Sequence, residues 1–142
     1  MNGSGLDADG IRRFLEEHFP QALDFPVVVR EIGERHLSLE LEPRESFLRP
    51  GATVSGPTLM TLVDTAAFFL LLAKLGPVAQ AVTTSLNIDF LKRPKLGHFI
   101  AVAELMKLGR TLAVVRVVVY PVGESEAVAQ ASVTYALPKS RG

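Results

Sequence analysis

The stretch VSGPTLMTLVDTAAFFLLLAKLG, residues 54–76, predicts one long helix that the rest of the chain buries. Ser55 or Gly56 can cap its start, and Pro57 suits the first turn because an N–H there would have no partner within the helix. Gly76 is a typical residue just past a helix end. Apolar side chains point in every direction between these ends, which indicates a helix buried on all sides.

One acid, Asp64, lies inside this apolar helix, on a short polar stripe with Thr58, Thr61 and Thr65. Its carboxylate could be satisfied by nearby hydroxyls or backbone N–H groups, or lie at a solvated edge. Alternatively, Asp64 could be a general base or nucleophile whose reactivity is set by partial burial. The helix by itself favours neither interpretation.

The composition limits the classes of protein to which this chain can belong. The chain has 142 residues, 48% hydrophobic and 21% charged, which predicts a single domain over residues 1–142 with a sizeable core. Fifteen basic and fifteen acidic residues cancel, so no net charge attracts nucleic acid or an anionic membrane. The absence of cysteine excludes disulfides and thiolate chemistry. We find no signal-peptide pattern and expect the helix, with its core over residues 59–73, to be too short to span a membrane, so we expect a cytoplasmic protein.

The rest of the chain predicts an α+β fold. Residues 1–5 should form a flexible leader, and a short helix should follow from Asp7 or Asp9 to about His18, so that leader and helix occupy about residues 1–24. Strand patterns cover residues 27–32, 36–41, 78–91, 99–108, 111–120 and 126–137. Consecutive strands joined by short turns, such as Gly109-Arg110, predict an antiparallel sheet of about six strands wrapped around the apolar helix.

The other residue types that could react or bind a metal show no pattern that would support such a role. His18, His36 and His98 lie in separate segments without the spacing of metal ligands, so no metal site is expected. Nucleotide-binding glycine motifs, a P-loop and the zinc motif HExxH are all absent from the sequence. Asp64 is therefore the candidate reacting group.

The helix start offers the free N–H groups of Gly56 and Thr58, which suit an anion or a developing oxyanion, although a purely structural cap is the alternative. Gly56 and Asp64 are eight residues apart, or ~12 Å along a helix at ~1.5 Å per residue. One reacting atom cannot lie about 3 Å from both. If both serve one reaction, they come from two subunits whose helices run antiparallel across a two-fold axis.

Residues 55–66, SGPTLMTLVDTA, resemble the HGGxxxxLxDxA signature of hotdog-fold thioesterases of the phenylacetic acid degradation (PaaI-like) group. Residues 82–90, VTTSLNIDF, resemble the first strand after the helix in that group, and Gly109-Arg110 resembles its nucleotide-side turn. The resemblance covers roughly residues 25–137 and implies a hotdog fold, in which a long helix is wrapped by a sheet and dimerised through it. Ser55 and Pro57 replace the histidine and the second glycine of the signature.

The resemblance implies a role for three residues in catalysis. Asp64 would be the acid that activates water or attacks the thioester carbonyl. Gly56 would use its N–H to polarise that carbonyl in the partner's site. Thr83 would hold the attacking water.

Other residues are expected to bind substrate. The predicted acyl-binding set is Ser55, Pro57, Thr58, Arg49, Thr84 and Phe68. Phosphates of coenzyme A would suit Arg93 and Lys95 of the cluster KRPK, residues 92–95, together with Gly109 and Arg110. For the cluster, a solvated strand end is the alternative interpretation.

The resemblance therefore implies an acyl-coenzyme A thioesterase that acts as a homodimer, or as a dimer of such dimers. It needs no cofactor other than the coenzyme A of its substrate, and no nucleic acid or membrane partner. Two alternatives remain. The replacements at Ser55 and Pro57, with Arg49 where some relatives carry an amide, are compatible with a non-catalytic acyl-coenzyme A binder. Hydration or dehydration of acyl chains is disfavoured because that chemistry pairs a histidine with the acid, and none lies in or just before the helix.

Overall fold

A computed structural model describes residues 5–138, and it confirms the predicted α+β hotdog architecture. One long helix packs against a six-stranded antiparallel sheet in the order β1-β2-β6-β7-β8-β5. The elements in chain order are α1 (Ala8–His18), a 3-10 segment (Pro20–Asp24), β1 (Val27–Ile32), β2 (His36–Leu41), a 3-10 turn (Glu45–Phe47), β3 (Leu48–Arg49), β4 (Thr53–Val54), α2 (Gly56–Leu75), β5 (Val82–Phe90), β6 (Phe99–Leu108), β7 (Leu112–Pro121) and β8 (Ala129–Ala136).

Helix α2 begins and ends where its sequence predicts. Ser55 is the N-cap, and its Oγ accepts a hydrogen bond from the Thr58 N–H at 3.2 Å. Gly76 follows the last turn with φ 85°, a left-handed conformation that favours glycine over residues with a side chain. Both ends are thus fixed by local chemistry.

The expectation that helix α2 is too short to span a membrane is wrong. Helix α2 has 20 residues with a mean hydropathy of 1.7 in its most apolar window, so it is long and apolar enough to cross a bilayer. In the structure, however, 61% of that window is buried within the protein, with leucines such as Leu59, Leu62 and Leu70 fully enclosed. A helix that its own sheet buries is a core helix, so its length of 20 residues is not evidence that it spans a membrane.

Strand order differs from the simple succession that the sequence suggests. Strand β5 does not pair with β6, which follows it along the chain; it pairs with β8 and forms one edge of the sheet. The first residues of the predicted strand 78–91 instead form a turn, in which the Ala81 N–H donates to the Val78 carbonyl at 2.9 Å. Strand β8 likewise begins at Ala129, later than predicted.

The N-terminal segment packs against α2. Asp7 caps α1, as predicted, through a 2.7 Å bond from the Gly10 N–H to its side chain. Of the predicted leader, residues 1–4 lie outside the described residues, whereas Leu6, directly after it, donates its N–H to the Leu72 carbonyl at 3.2 Å. The apolar stripe of α1, with Phe14 6.3 Å from the Phe68 ring, joins the core. Helix α1 and the 3-10 segment therefore cover part of α2 that the sheet leaves open.

Candidate active site

Asp64 lies half-buried in the first half of α2, where two hydroxyl groups hold one of its oxygens. The Thr83 hydroxyl donates to Asp64 Oδ1 at 2.8 Å, and the Tyr135 hydroxyl donates to the same atom at 2.9 Å. Within residues 5–138, Oδ2 has no hydrogen-bond partner. The carboxylate is thus oriented through one oxygen while the other stays available for chemistry.

Thr83 reaches Asp64 because β5 contains a β-bulge. Its register against β8 shifts between Thr83, which pairs with Tyr135, and Ser85, which pairs with Thr134. Side chains alternate along a strand, so Thr83 and Leu86 would normally face opposite sides of the sheet. The extra residue, Thr84, removes that mismatch, and both side chains face α2.

Tyr135 is the site residue that sequence analysis missed. Only 3% of it is exposed, and its ring stacks on Phe68 with centroids 6.0 Å apart. Burial, followed by the charge of Asp64, raises the pKa of Tyr135 far above its ordinary value, so its hydroxyl stays protonated as a donor. The available signal was the rule that a buried tyrosine needs a hydrogen-bond partner.

Two cavities open beside Asp64. The first, of about 280 Å³, has a largely aromatic wall that includes Phe68, Phe69 and Tyr135. The second, of about 460 Å³, lies on the side of Met60 and Leu86. Phe19 of the N-terminal segment lines both. Phe68 therefore lies where an acyl-binding residue was predicted, and the carboxylate of Asp64 borders two apolar spaces of ligand size.

The start of α2 is a second feature, and it only partly matches the prediction. The Thr58 N–H is not free, since it donates to the Ser55 Oγ. For the Gly56 N–H, the described part of the chain provides no acceptor. Gly56 lies against Phe90, whose Cζ would be 3.3 Å from a Cβ placed on the glycine, and Pro57 is exposed beside it. The one free donor of the predicted pair is thus that of Gly56.

Two predicted acyl-binding residues have other contacts. Arg49 lies in the β3–β4 hairpin and donates to the carbonyl of its neighbour Pro50 at 3.2 Å. Thr84 is the extra residue of the bulge, and its hydroxyl donates to the Thr134 carbonyl at 3.2 Å. Neither lines a cavity beside Asp64. Arg49 therefore lies apart from the candidate acid, and Thr84 contributes by shaping the strand.

The residues predicted to bind coenzyme A form two groups at opposite ends of the sheet. Gly109 and Arg110 lie in the β6–β7 turn, at the end where Thr83, Tyr135 and Ala113 form one cross-strand row. Arg93 and Lys95 line a groove of about 650 Å³ at the other end. Within one chain, ten-residue strands separate the two groups by about 30 Å, so their joint role in binding coenzyme A stays a prediction.

Arg93 and Lys95 lie close to the start of α2. Lys95 forms a bridge with Thr53, and the Pro94 carbonyl accepts the Val54 N–H at 2.9 Å. Their neighbour Lys92 is paired with Glu126 at 2.7 Å. Each chain therefore has Gly56 near one basic group and Asp64 near the other.

The histidines lie away from Asp64, although His98 lines the groove of Arg93 and Lys95. His18 ends α1, His36 begins β2, and His98 contacts Glu40 at 2.7 Å just before β6. None of the three lines a cavity beside Asp64. Among residues 5–138, no group of three or more potential metal-ligating side chains is found.

Comparison with protein families gives one match. The model of the "Thioesterase superfamily" matches residues 51–128, which include α2 with Asp64 and the strands β5 to β7. No curated protein gives a significant match.

Solved structures resemble this chain along most of its length. A candidate thioesterase from Silicibacter sp. TM1040 is 37% identical, with a TM-score of 0.82 over 94% of this chain and 92% of that one. A candidate thioesterase from Ralstonia eutropha JMP134, related to phenylacetic acid degradation, is 26% identical, with a TM-score of 0.78 over 89% and 98%. The zebra fish thioesterase superfamily member 2, at 23% identity, shares the fold with a TM-score of 0.80 over 94% and 99%.

Proposed function

This chain belongs to the thioesterase superfamily, and we propose that it hydrolyses an acyl-coenzyme A thioester to a free acid and coenzyme A. The observation that carries the proposal is the carboxylate of Asp64, oriented by Thr83 and Tyr135 through Oδ1 and bordered by apolar cavities. A thioester carbonyl needs an activated nucleophile and a donor for the developing oxyanion. The proposal assigns the first to Asp64 and the second to Gly56.

The free oxygen of Asp64 performs the first step. As a general base, Oδ2 takes a proton from water while the water oxygen attacks the carbonyl carbon; the carbon–sulfur bond then breaks and the thiolate of coenzyme A takes up a proton. As a nucleophile, Oδ2 itself attacks that carbon, the carbon–sulfur bond breaks and coenzyme A leaves as its thiolate, which takes up a proton; water later hydrolyses the anhydride to the free acid and the Asp64 carboxylate. Thr83, exposed at the cavity, can hold the water in either route. Tyr135 fixes the carboxylate in both.

The oxyanion donor comes from a second copy of the chain. Within one chain, Asp64 contacts Thr83 at the start of β5, whereas Gly56 contacts Phe90 at its end. Antiparallel pairing of β5 with its copy, about a two-fold axis near the middle of the strand, would bring the partner's helix start towards Asp64.

The surface of β5 supports this homodimer. It is a nine-residue edge strand whose ends carry exposed apolar side chains, with Val82 56% and Phe90 50% exposed. Met60 on the neighbouring face of α2 is 41% exposed. A long apolar edge that stays unpaired in a monomer favours association through that edge. A further association of two dimers remains a proposal without a surface of its own.

Dimerisation would also reunite the predicted coenzyme A residues. Arg93 and Lys95 lie near Gly56, and Arg110 lies at the end of the sheet that holds Asp64. In the proposed dimer the basic groups of two subunits approach one another beside each Asp64. Guanidinium and ammonium groups suit the phosphates of coenzyme A, with Ser55 and Pro57 shaping the path beside Gly56.

Similarity to the Ralstonia protein supports a narrower proposal, that the chain is of the PaaI-like group and acts on a related acyl thioester in the cytoplasm. The hydratase alternative gains nothing from the structure, because Asp64 has no histidine beside it. The binder alternative differs from the leading proposal only in turnover.

Thiol release from a panel of aryl- and fatty-acyl-coenzyme A thioesters tests the proposal. We expect Asp64→Asn, which keeps the shape of the side chain, to lower kcat by about 10²–10⁴-fold on the best substrate. Circular dichroism and sedimentation should show an unchanged fold and dimer. If wild type and Asp64→Asn were equally inactive but bound coenzyme A thioesters tightly, the protein would be a binder and the enzymatic proposal would be wrong.

A further inference from the structure

Three cavities meet at one small side chain, Ala22, in the 3-10 segment after α1. The two cavities beside Asp64 measure about 280 and 460 Å³, and a third, of about 340 Å³, lies between α1 and β1. Ala22 lines all three. Among residues 5–138, Ala22 and Phe69 are the two that line both the Asp64 cavity with Phe68 and Tyr135 and the α1–β1 groove.

The α1–β1 groove combines apolar side chains with three charged ones, Asp9, Arg12 and Glu42. Ile11 and Leu15 of α1 form one wall, and Phe25 with Val28 forms the other. Val28 is 43% exposed, on the edge of the sheet farthest from β5. The groove therefore stays open in the dimer proposed above, and an apolar ligand would remove the exposed side chain of Val28 from water.

The backbone holds Ala22 at this junction. Its N–H donates to the Phe19 carbonyl at 3.0 Å, and its carbonyl accepts the Phe25 N–H at 3.3 Å. Because both groups are engaged, a larger side chain at position 22 would occupy the junction rather than swing away. The size of this one residue controls how far an apolar group can extend from Asp64.

We propose that Ala22 determines the length of acyl chain that the site accepts, and that the α1–β1 groove receives the end of long, unbranched acyl chains. The inference rests on the proposed thioesterase function, since the reacting carbonyl must lie at Asp64 for the tail to reach Ala22. The aromatic cavity holds the part of the chain next to the carbonyl, and the groove holds what extends past Ala22 and Phe69. Short acyl groups end before the junction.

The test compares butanoyl- and dodecanoyl-coenzyme A. Ala22→Leu should lower kcat/KM for the dodecanoyl substrate about tenfold relative to the butanoyl value, in the range of a few misplaced methylene groups in an apolar pocket. Val28→Glu places a charge in the far wall of the groove, at an exposed edge position, and should have the same selective effect. Met106→Glu is the matched control, since Met106 is 52% exposed and lines none of the three cavities.

Binding separates this inference from the proposed function. Affinities for both thioesters are measured on proteins that also carry Asp64→Asn, so that no turnover is needed. If the wild type hydrolyses neither thioester but Ala22→Leu and Val28→Glu still weaken dodecanoyl binding alone, the groove assignment stands and the enzymatic proposal falls. An equal loss for both chain lengths, or no loss in either variant, overturns the assignment of Ala22 and the groove.

Discussion

Two parts of α2 carry the proposed chemistry, and one chain completes only one of them. The Asp64 carboxylate already has two donors from its own subunit, Thr83 and Tyr135. The Gly56 N–H, at the helix start, finds no acceptor within residues 5–138. Under the proposed function, the nucleophile-activating group would be assembled by folding, whereas the oxyanion donor would be supplied by association.

Association of two chains would bring Asp64 and Gly56 to the same carbonyl group without any additional residue. Asp64 and Gly56 contact opposite ends of β5, so no folding of a single chain brings them together around one carbonyl. An antiparallel β5 pair exchanges the two ends between subunits. The same exchange would unite Arg110 of one subunit with Arg93 and Lys95 of the other. A subunit that lacks the Gly56 N–H and a subunit that lacks the Asp64 carboxylate should therefore complement each other in a mixed dimer.

After Asp64→Asn, the largest expected effect comes from removing the donor at the helix start. Gly56→Pro deletes the N–H, and we expect kcat to fall about 10²–10³-fold, as it does when an oxyanion donor is lost. Gly56→Ala keeps the N–H and adds a Cβ 3.3 Å from the Phe90 ring, so it should cost far less. Steady-state kinetics on both variants, with circular dichroism to verify folding, provides the measurement. Equal losses in the two variants would show that crowding rather than the N–H matters.

Mixing two inactive proteins tests whether the site is shared. Asp64→Asn and Gly56→Pro subunits, denatured together in equal amounts and refolded, should regain about a quarter of wild-type activity. Half of the dimers are then mixed, and each mixed dimer has one intact site. Refolding each variant alone is the control. Absence of any recovery, with mixed dimers shown by mass spectrometry, would contradict a site built from two subunits.

A smaller effect is expected from removing the Tyr135 hydroxyl, which donates to Asp64 within a single chain. Tyr135→Phe removes one hydrogen bond to Asp64, and a bond to a charged group contributes about 1.5 kcal/mol. We expect kcat to fall about tenfold while KM stays unchanged, because Tyr135 orients the carboxylate and does not bind the substrate. Tyr120→Phe, at the half-buried second tyrosine on β7, is the matched control. A rise in KM alone would assign Tyr135 to substrate binding instead.

The smallest effect is a pH dependence of stability. Burial raises the pKa of Tyr135 in the folded protein, whereas in the unfolded chain it titrates near 10. Above that pH the unfolded state loses a proton that the folded state retains, so the free energy of unfolding falls as pH rises. Its contribution should decrease by about 1 kcal/mol between pH 10 and pH 11.

Urea unfolding at pH 8 to pH 11 measures this decrease as the difference between wild type and Tyr135→Phe. Tyr120→Phe serves again as the control and should follow the wild type more closely than Tyr135→Phe does. A difference between wild type and Tyr135→Phe that stays constant over the whole range would show that Tyr135 is not held as a buried neutral donor.

Prediction from the sequence succeeds for α2, whereas the role of Asp64 as the reacting acid stays a prediction. Caps at Ser55 and Gly76, the apolar composition between them and the single carboxylate at Asp64 are local features, and the structure retains each. Prediction is weaker for β5. The pattern indicates a strand, but its pairing with β8 connects residues about fifty positions apart, and no local signal encodes it.

Tyr135 and the β-bulge at Thr84 show the same limit of sequence-based prediction, here for single residues. Tyr135 occupies an ordinary inward position of an alternating strand, and only the packing of β8 beside α2 places its hydroxyl at Asp64. Thr83 was assigned by resemblance, yet its direction depends on the extra residue Thr84. Arg49 lies in the β3–β4 hairpin just before α2, and its role in binding substrate stays a prediction.

The sequence by itself determined the helix, its ends, its one acid and the number of strands in the main sheet, because caps, turns and hydrophobic periodicity act over a few residues. Tertiary structure alone decided which strands pair, which hydroxyls orient Asp64, and that Gly56 and Asp64 lie at opposite ends of β5. The physical reason is that strand order and register depend on which distant apolar faces bury one another, and a side chain changes sides when the register shifts by one residue.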